Sequence, residues 1–240
     1  MPTYHLSIKS GKKGKAANHA AYITRQGRHG KNDKGNDLVV TGHGNLPDWA
    51  EDRPTAFWSA ADENERANGA AYREFEVALP KELSLQENEA LLKSFIEAEL
   101  GMRPYQFAIH APVAALGGVA QPHGHVMFSD RIPDEVERSP GQFFRRFNPV
   151  MPEAGGCKKA SGGKSPLEMK QQITQIRENW ATLQNECLAA HGVQGRVDHR
   201  SFVARGIDEN PERHLGHLGI KKMDEQARDE FLSARALRGA

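Results

Sequence analysis

The sequence predicts an α+β fold: a largely antiparallel sheet covered on one side by helices. Three observations predict it. Residues 72–80 (YREFEVALP) alternate apolar and polar and stop at a proline, as a strand does. Residues 105–111 and 123–130 alternate in the same way and are joined by a hairpin-length loop. Residues 84–101 carry a helical apolar period between an N-capping Ser84, with Glu87 three residues on, and a terminating Gly101.

The remaining elements follow in chain order. Residues 3–9 (TYHLSIK) alternate and read as a strand, followed by the basic, glycine-punctuated loop GKKGK. The alanine-rich segment 16–25 reads as a helix. Residues 28–50 form a polar, glycine-rich excursion with a short strand at Leu38–Thr41. Residues 53–69 read as a helix, with Pro54 at its start and Gly69 past its end. After 133–166, loop-rich with one helical turn at GQFFRRF, a long helix spans 166–192. VDHRSF (197–202) reads as a short strand, and residues 221–240 as a charged, peripheral helical tail.

Composition excludes several classes. With 38% hydrophobic and 26% charged residues the chain can build a core. No apolar run of about 18 residues is available for membrane insertion. The start, MPTYHLSIKS, lacks the apolar core of a secretion signal. Cys157 and Cys187 are too few for a disulfide framework, so a cytoplasmic location is expected. The glycine-rich run GGCKKASGGK does not have phosphate-loop spacing. The net charge of +1 hides an asymmetry. Residues 1–31 carry Lys9, Lys12, Lys13, Lys15, Arg25, Arg28 and Lys31 and no acid, residues 48–99 are strongly acidic, and residues 141–170 are basic again. Two basic segments around an acidic middle suit a polyanion groove.

Strand parity gathers the chemistry. Side chains two apart share a face, so each strand offers one apolar face and one polar one. The polar faces together present His5, Glu74, Glu76, His110, His123 and His125. Paired strands lie about 4.8 Å apart, so His110 and the His123–Gly–His125 pair can converge on one ion. Three ligands would leave room for water or a substrate oxygen. Glu74 or Glu76 could accept the far N–H of a ligand histidine. His19, His29 and His43 are expected to face solvent or phosphate, and His214 and His217 the surface.

Of the four tyrosines, Tyr4 and Tyr105 share parity with core residues, and Tyr72 shares parity with Glu74. Tyr22 lies in a polar helical stripe with Asn18, Arg25 and His29, inside the basic block. It is the favoured nucleophile, with Tyr72 as the alternative. A phenol near its usual pKa of about 10 needs a nearby metal to polarise phosphate.

The segments YHLSIKSGKKGKAANHAAYITRQG, FWSAADENERANG, REFEVALP, AIHAP, QPHGHVMFSDR, FFRRFNP, VDHRSF and HLG, in this order and spacing, resemble the MobA/MobL relaxases of mobilisable plasmids, within the HUH endonuclease class. The resemblance covers nearly all of a relaxase domain at 1–220. It implies a palm-like five-stranded antiparallel sheet flanked by helices. It implies that Tyr22 attacks a scissile phosphate, that His110, His123 and His125 hold Mg²⁺ or Mn²⁺, and that Glu74 or Glu76 supports them. The implied reaction is reversible transesterification of single-stranded DNA at an origin of transfer, assisted by relaxosome accessory proteins and a type IV secretion coupling protein. Lys9, Lys12, Lys13, Lys15, Arg25, Arg28, Lys158 and Lys159 are the candidate DNA contacts. Relatives often carry C-terminal primase or helicase modules, and nothing in these 240 residues supports those activities. A rolling-circle initiator shares the chemistry but acts at a replication origin. A metallohydrolase would not need Tyr22, and a binding module would cut nothing.

Overall fold

The computed structural model describes residues 2–31, 37–114, 118–208 and 216–239. Five strands form one sheet: β1 (Leu6–Lys12), β2 (Leu38–Gly44), β3 (Ala70–Ala78), β4 (Tyr105–His110) and β5 (His123–Phe128). Their spatial order is β1-β3-β5-β4-β2, and every neighbouring pair is antiparallel. The two outermost strands come from the first 44 residues, and the central three carry Glu74, Glu76, His110, His123 and His125.

Helices pack on both faces, not on one as expected from sequence. On the first face α3 (Leu85–Leu100) and α5 (Pro166–Ala190) bury Leu92, Phe95 and Trp180 against Phe75, Val77, Phe107, Ile109, Val126 and Phe128. Both helices start with a reciprocal capping box, Ser84 with Glu87 and Ser165 with Glu168. On the second face α1 (Ala16–Ile23) and α2 (Pro54–Asn64) cover Tyr72, Ala108 and Met127. The one-sided expectation fails because this nominally polar face also carries apolar area, and burying it stabilises the fold. Trp58 Nε1 donates to Gln106 on β4 at 2.8 Å, tying α2 to the sheet.

Two other expectations change. The helix expected over 53–69 ends at Asn64 because Glu65 turns inward. There it meets Arg131 Nη2 at 2.9 Å and Lys159 Nζ at 3.2 Å. Arg131 and Lys159 lie on a two-stranded ribbon, β6 (Arg131–Ile132) with β7 (Lys158–Lys159). VDHRSF is not a strand but turns and bends leading into a 3₁₀ turn at Val203–Arg205. Short α4 (Pro140–Phe143) fills the GQFFRRF position, and α6 (Gly216–Lys222) and α7 (Glu225–Gly239) complete the described chain. Among the described residues no helix is long and apolar enough to cross a membrane.

Candidate metal centre and nucleophile

The histidines converge at one end of the β4–β5 hairpin. His110 closes β4, His123 opens β5, and the two are directly paired. His125 sits two residues further along the same face. Each of the three offers a ring nitrogen, all within 4.8 Å of one another. His5 lies just outside β1, exposed and apart from this cluster.

Each imidazole also spends one nitrogen on the protein. His123 Nδ1–H donates to the Gln121 carbonyl at 3.0 Å, His125 Nδ1–H to Glu74 Oε1 at 2.8 Å, and His110 Nε2–H to the Ile23 carbonyl at 2.7 Å. A carbonyl only accepts, so the tautomers of His110 and His123 follow from these bonds. Every ring keeps one lone-pair nitrogen, and that of His110 faces the Arg25 guanidinium at 3.3 Å. Burial, reinforced by the Arg25 charge and partly offset by the Ile23 bond, takes His110 down to about 4. Burial also lowers His123. Neutral imidazoles with fixed tautomers are what a divalent cation requires of its ligands, so this donor set fits such an ion.

Glu74 is 2% exposed. Its second oxygen, Oε2, lies 3.0 Å from His19 Nε2 on α1. Burial works to raise its carboxyl, but the bonds to His125 and His19 outweigh it and hold the group at about 2. Glu76 instead pairs with Lys9 on the neighbouring strand. The sequence left these two carboxylates equivalent; the structure separates them. His19 is also not a solvent-facing residue as expected. Its place three residues before Tyr22, on the same helical face, was the available signal.

Tyr22 lies on α1 and is 41% exposed. The His29 ring meets it edge-on at 5.5 Å, and the Arg25 guanidinium lies 5.0 Å from its ring centroid. The next residue, Ile23, is the one bonded to His110, so α1 abuts the cluster directly. Arg25 leaves the helix with φ 54°, donates to both Asp37 oxygens at 3.0 and 2.9 Å, and approaches His110 Nδ1 at 3.3 Å. Tyr72 is buried, and burial raises its hydroxyl to about 12. Tyr4 and Tyr105 pack against the first-face core.

No local residue caps α1. Asp62 on α2 does it instead, accepting from Gly14 and Ala16 through Oδ1 at 2.7 and 2.9 Å and from Ala17 through Oδ2 at 2.9 Å. Nothing in the local sequence of α1 announces this partner.

The basic candidates divide into two groups. Lys12, Lys13, Lys15, Arg28 and Lys158 are exposed. Lys9, Arg25 and Lys159 are each engaged by a carboxylate: Glu76, Asp37 and Glu65. His214 and the side chains of Lys31 and His217 lie outside the described residues.

The fold and site are thus a five-stranded antiparallel sheet with helices on both faces and three imidazoles at the end of its central hairpin. The chain belongs to the MobA/MobL family, whose model matches residues 22–226. It is 46% identical over 209 residues to the 43 kDa relaxation protein of Salmonella typhimurium, covering 87% of this chain and 56% of that protein. It is 39% identical over 221 residues to mobilization protein A of Escherichia coli, covering 90% of this chain and 30% of that protein. The chain thus spans about half or less of the length of these two relatives. A solved structure described as the molecular basis of vancomycin resistance transfer in Staphylococcus aureus superposes with a TM-score of 0.59 at 20% identity. It covers 83% of this chain and 99% of the other, a likeness of fold.

Proposed function

We propose that residues 1–220 form a mobilisation relaxase domain that nicks one strand of plasmid DNA at an origin of transfer and remains bonded to the 5′ phosphate. One observation carries this reading: three imidazoles, each offering a ring nitrogen toward the others, gather at the sheet end against which the Tyr22 helix is docked. The names of the relatives, a relaxation protein and a mobilization protein, point the same way.

His110, His123 and His125 would hold a divalent ion such as Mg²⁺ or Mn²⁺, with Glu74 orienting His125. When bound, that ion would polarise the scissile phosphate and offset charge on the departing 3′ oxygen. Tyr22 supplies the nucleophile: its oxygen bonds to phosphorus as the bond from phosphorus to the 3′ oxygen breaks, and the phenol proton balances the freed 3′ hydroxyl. One phosphodiester replaces another, so the 3′ hydroxyl can later reverse the step without ATP. Lys12, Lys13, Lys15, Arg28 and Lys158 are the primary phosphate contacts. Lys9, Arg25 and Lys159, already neutralised by carboxylates, serve mainly to shape the groove. Relaxosome accessory proteins and a type IV coupling protein are the partners this reading implies, in the cytoplasm.

The test mixes the protein with labelled single-stranded oligonucleotides tiled across the plasmid's transfer origin, with Mg²⁺ or Mn²⁺. A denaturing gel should show a protein–DNA adduct that is absent with chelator and absent in Tyr22→Phe. Cleavage by Tyr22→Phe at the wild-type rate would replace this reading with a metallohydrolase.

A further inference from the structure

His19 has no place in the reaction as described, yet it contacts three of the groups that surround it. Its Nε2 lies 3.0 Å from Glu74 Oε2, while Glu74 Oε1 accepts from His125 at 2.8 Å. One buried carboxylate therefore accepts a hydrogen bond from β5 with one oxygen and lies against the imidazole of α1 with the other. The His19 ring stacks on Tyr72, with centroids 4.9 Å apart and planes at 12°. It lies 6.0 Å from the Tyr22 ring, with planes at 27°. Tyr72 is itself seated over Gly11, its partner on β1, where even a methyl group would collide with the phenol ring.

The geometry points to His19 as a positioning residue that fixes α1, and with it the Tyr22 phenol, against the imidazole cluster by way of Glu74. This rests on the reading of Tyr22 as the nucleophile. The physical need for such a tie is plain. Helix α1 has only 8 residues, too few to be stable alone. Its buried stripe is Ala16, Ala20 and Ile23, and two alanines make a shallow ridge that resists sliding poorly. Asp62 holds the N-terminal end and the His110–Ile23 bond holds the C-terminal end. His19 is the hold in between, and it acts one turn before Tyr22. A misplacement of about 1 Å can cost about 100-fold in rate.

Two substitutions separate the tie from the stack. His19→Phe keeps a ring against Tyr72 and loses Nε2; His19→Gln keeps a polar group for Glu74. In His19→Phe the single-turnover rate of adduct formation on an origin oligonucleotide with Mn²⁺ should fall by about 10–100-fold. Oligonucleotide Kd should stay within about twofold, because the phosphate contacts lie elsewhere. In protein stripped with EDTA, the amides of residues 20–24 should exchange about tenfold faster in His19→Phe than in the wild type. His19→Gln should recover part of both losses. A wild-type rate in His19→Phe overturns the assignment. So does a slow rate with an equal fall in oligonucleotide affinity and unchanged amide exchange. If the wild type forms no adduct while exchange still responds to His19→Phe, the nicking reading fails and the tie stands.

Discussion

Replacing Glu74 and Glu76 one at a time should give opposite results, although the two are equivalent by sequence pattern. Glu74 is buried and engages two histidines, whereas the Glu76 and Lys9 side chains are 28% and 52% exposed. The Glu74 carboxyl moves from its usual 4.5 to about 2, which corresponds to stabilisation on the order of 3 kcal/mol for its charged form in the fold. Glu74→Ala also leaves the buried His125 Nδ1–H unpaired, at about 1–3 kcal/mol. Metal-free Glu74→Ala should therefore lose about 2–4 kcal/mol in urea denaturation at pH 7, and Glu76→Ala no more than about 1 kcal/mol.

The sign of the pH dependence follows from the downward shift. The folded chain holds Glu74 ionised at pH values where the unfolded chain would protonate it. Its contribution is thus complete above pH 4.5 and lost as pH falls toward about 2, so wild type and Glu74→Ala converge over that window. Metal affinity is the second readout. By titration calorimetry with Mn²⁺, Glu74→Ala should bind about 10–100-fold more weakly, as expected when a partner that orients a ligand histidine is removed. Glu76→Ala should lose less than about fivefold, the effect of a partly screened charge. Wild-type Mn²⁺ affinity in Glu74→Ala, or a larger loss in Glu76→Ala, would refute this division of roles.

Three more outcomes are expected. Replacing Lys12, Lys13 and Lys15 together by Ala should reduce the slope of log K against log salt for single-stranded DNA by about 2, measured by fluorescence anisotropy; an unchanged slope places the DNA elsewhere. His110, held at about 4 rather than 6.5, leaves the folded chain short of a proton between those values, so metal-free protein should lose about 2–3 kcal/mol from this site between pH 7 and pH 4.5. Denaturation of His110→Gln across that range should show a correspondingly flatter profile. Glu65→Ala leaves Arg131 and Lys159 without their shared carboxylate and should cost about 3–5 kcal/mol, while Glu65→Ala with Arg131→Met should recover part of that loss.

Much of the site was legible because it depends on strand parity. His110, His123, His125, Glu74 and Glu76 share a face by the two-residue period, and hairpin pairing then sets His110 opposite His123. What parity could not supply was the choice between Glu74 and Glu76. Register places Glu76 opposite His125, but the side chains cross: Glu74 reaches His125 and Glu76 turns to Lys9. That choice depends on His19 arriving from α1. The end of α2 was hidden for a similar reason. Helix propensity runs past Asn64, but Glu65 finds two cations, the buried Arg131 and the partly buried Lys159, on a ribbon assembled from residues about 66 and 94 positions away. The second helical layer was missed because Ala108 and Met127 share parity with the polar residues and were counted with them.

The two faces of the sheet suggest why the chemistry collects where it does. On the first face, large side chains from α3 and α5 interdigitate with Phe75, Val126 and Phe128 of the sheet. On the second, α1 presents small residues and packs close, and its body ends at Ile23, where the sheet offers His110. A short, closely docked helix can carry a partly exposed tyrosine beside buried imidazoles only if polar contacts replace the apolar area it lacks. Asp62, His19 and the His110–Ile23 bond do so at its start, middle and end. Two of these three contacts run through the imidazole cluster or the carboxylate bonded to it. Filling the metal site should therefore stiffen α1 as well as the histidines, and the amides of residues 20–24 should become more protected when Mn²⁺ is added to the free protein.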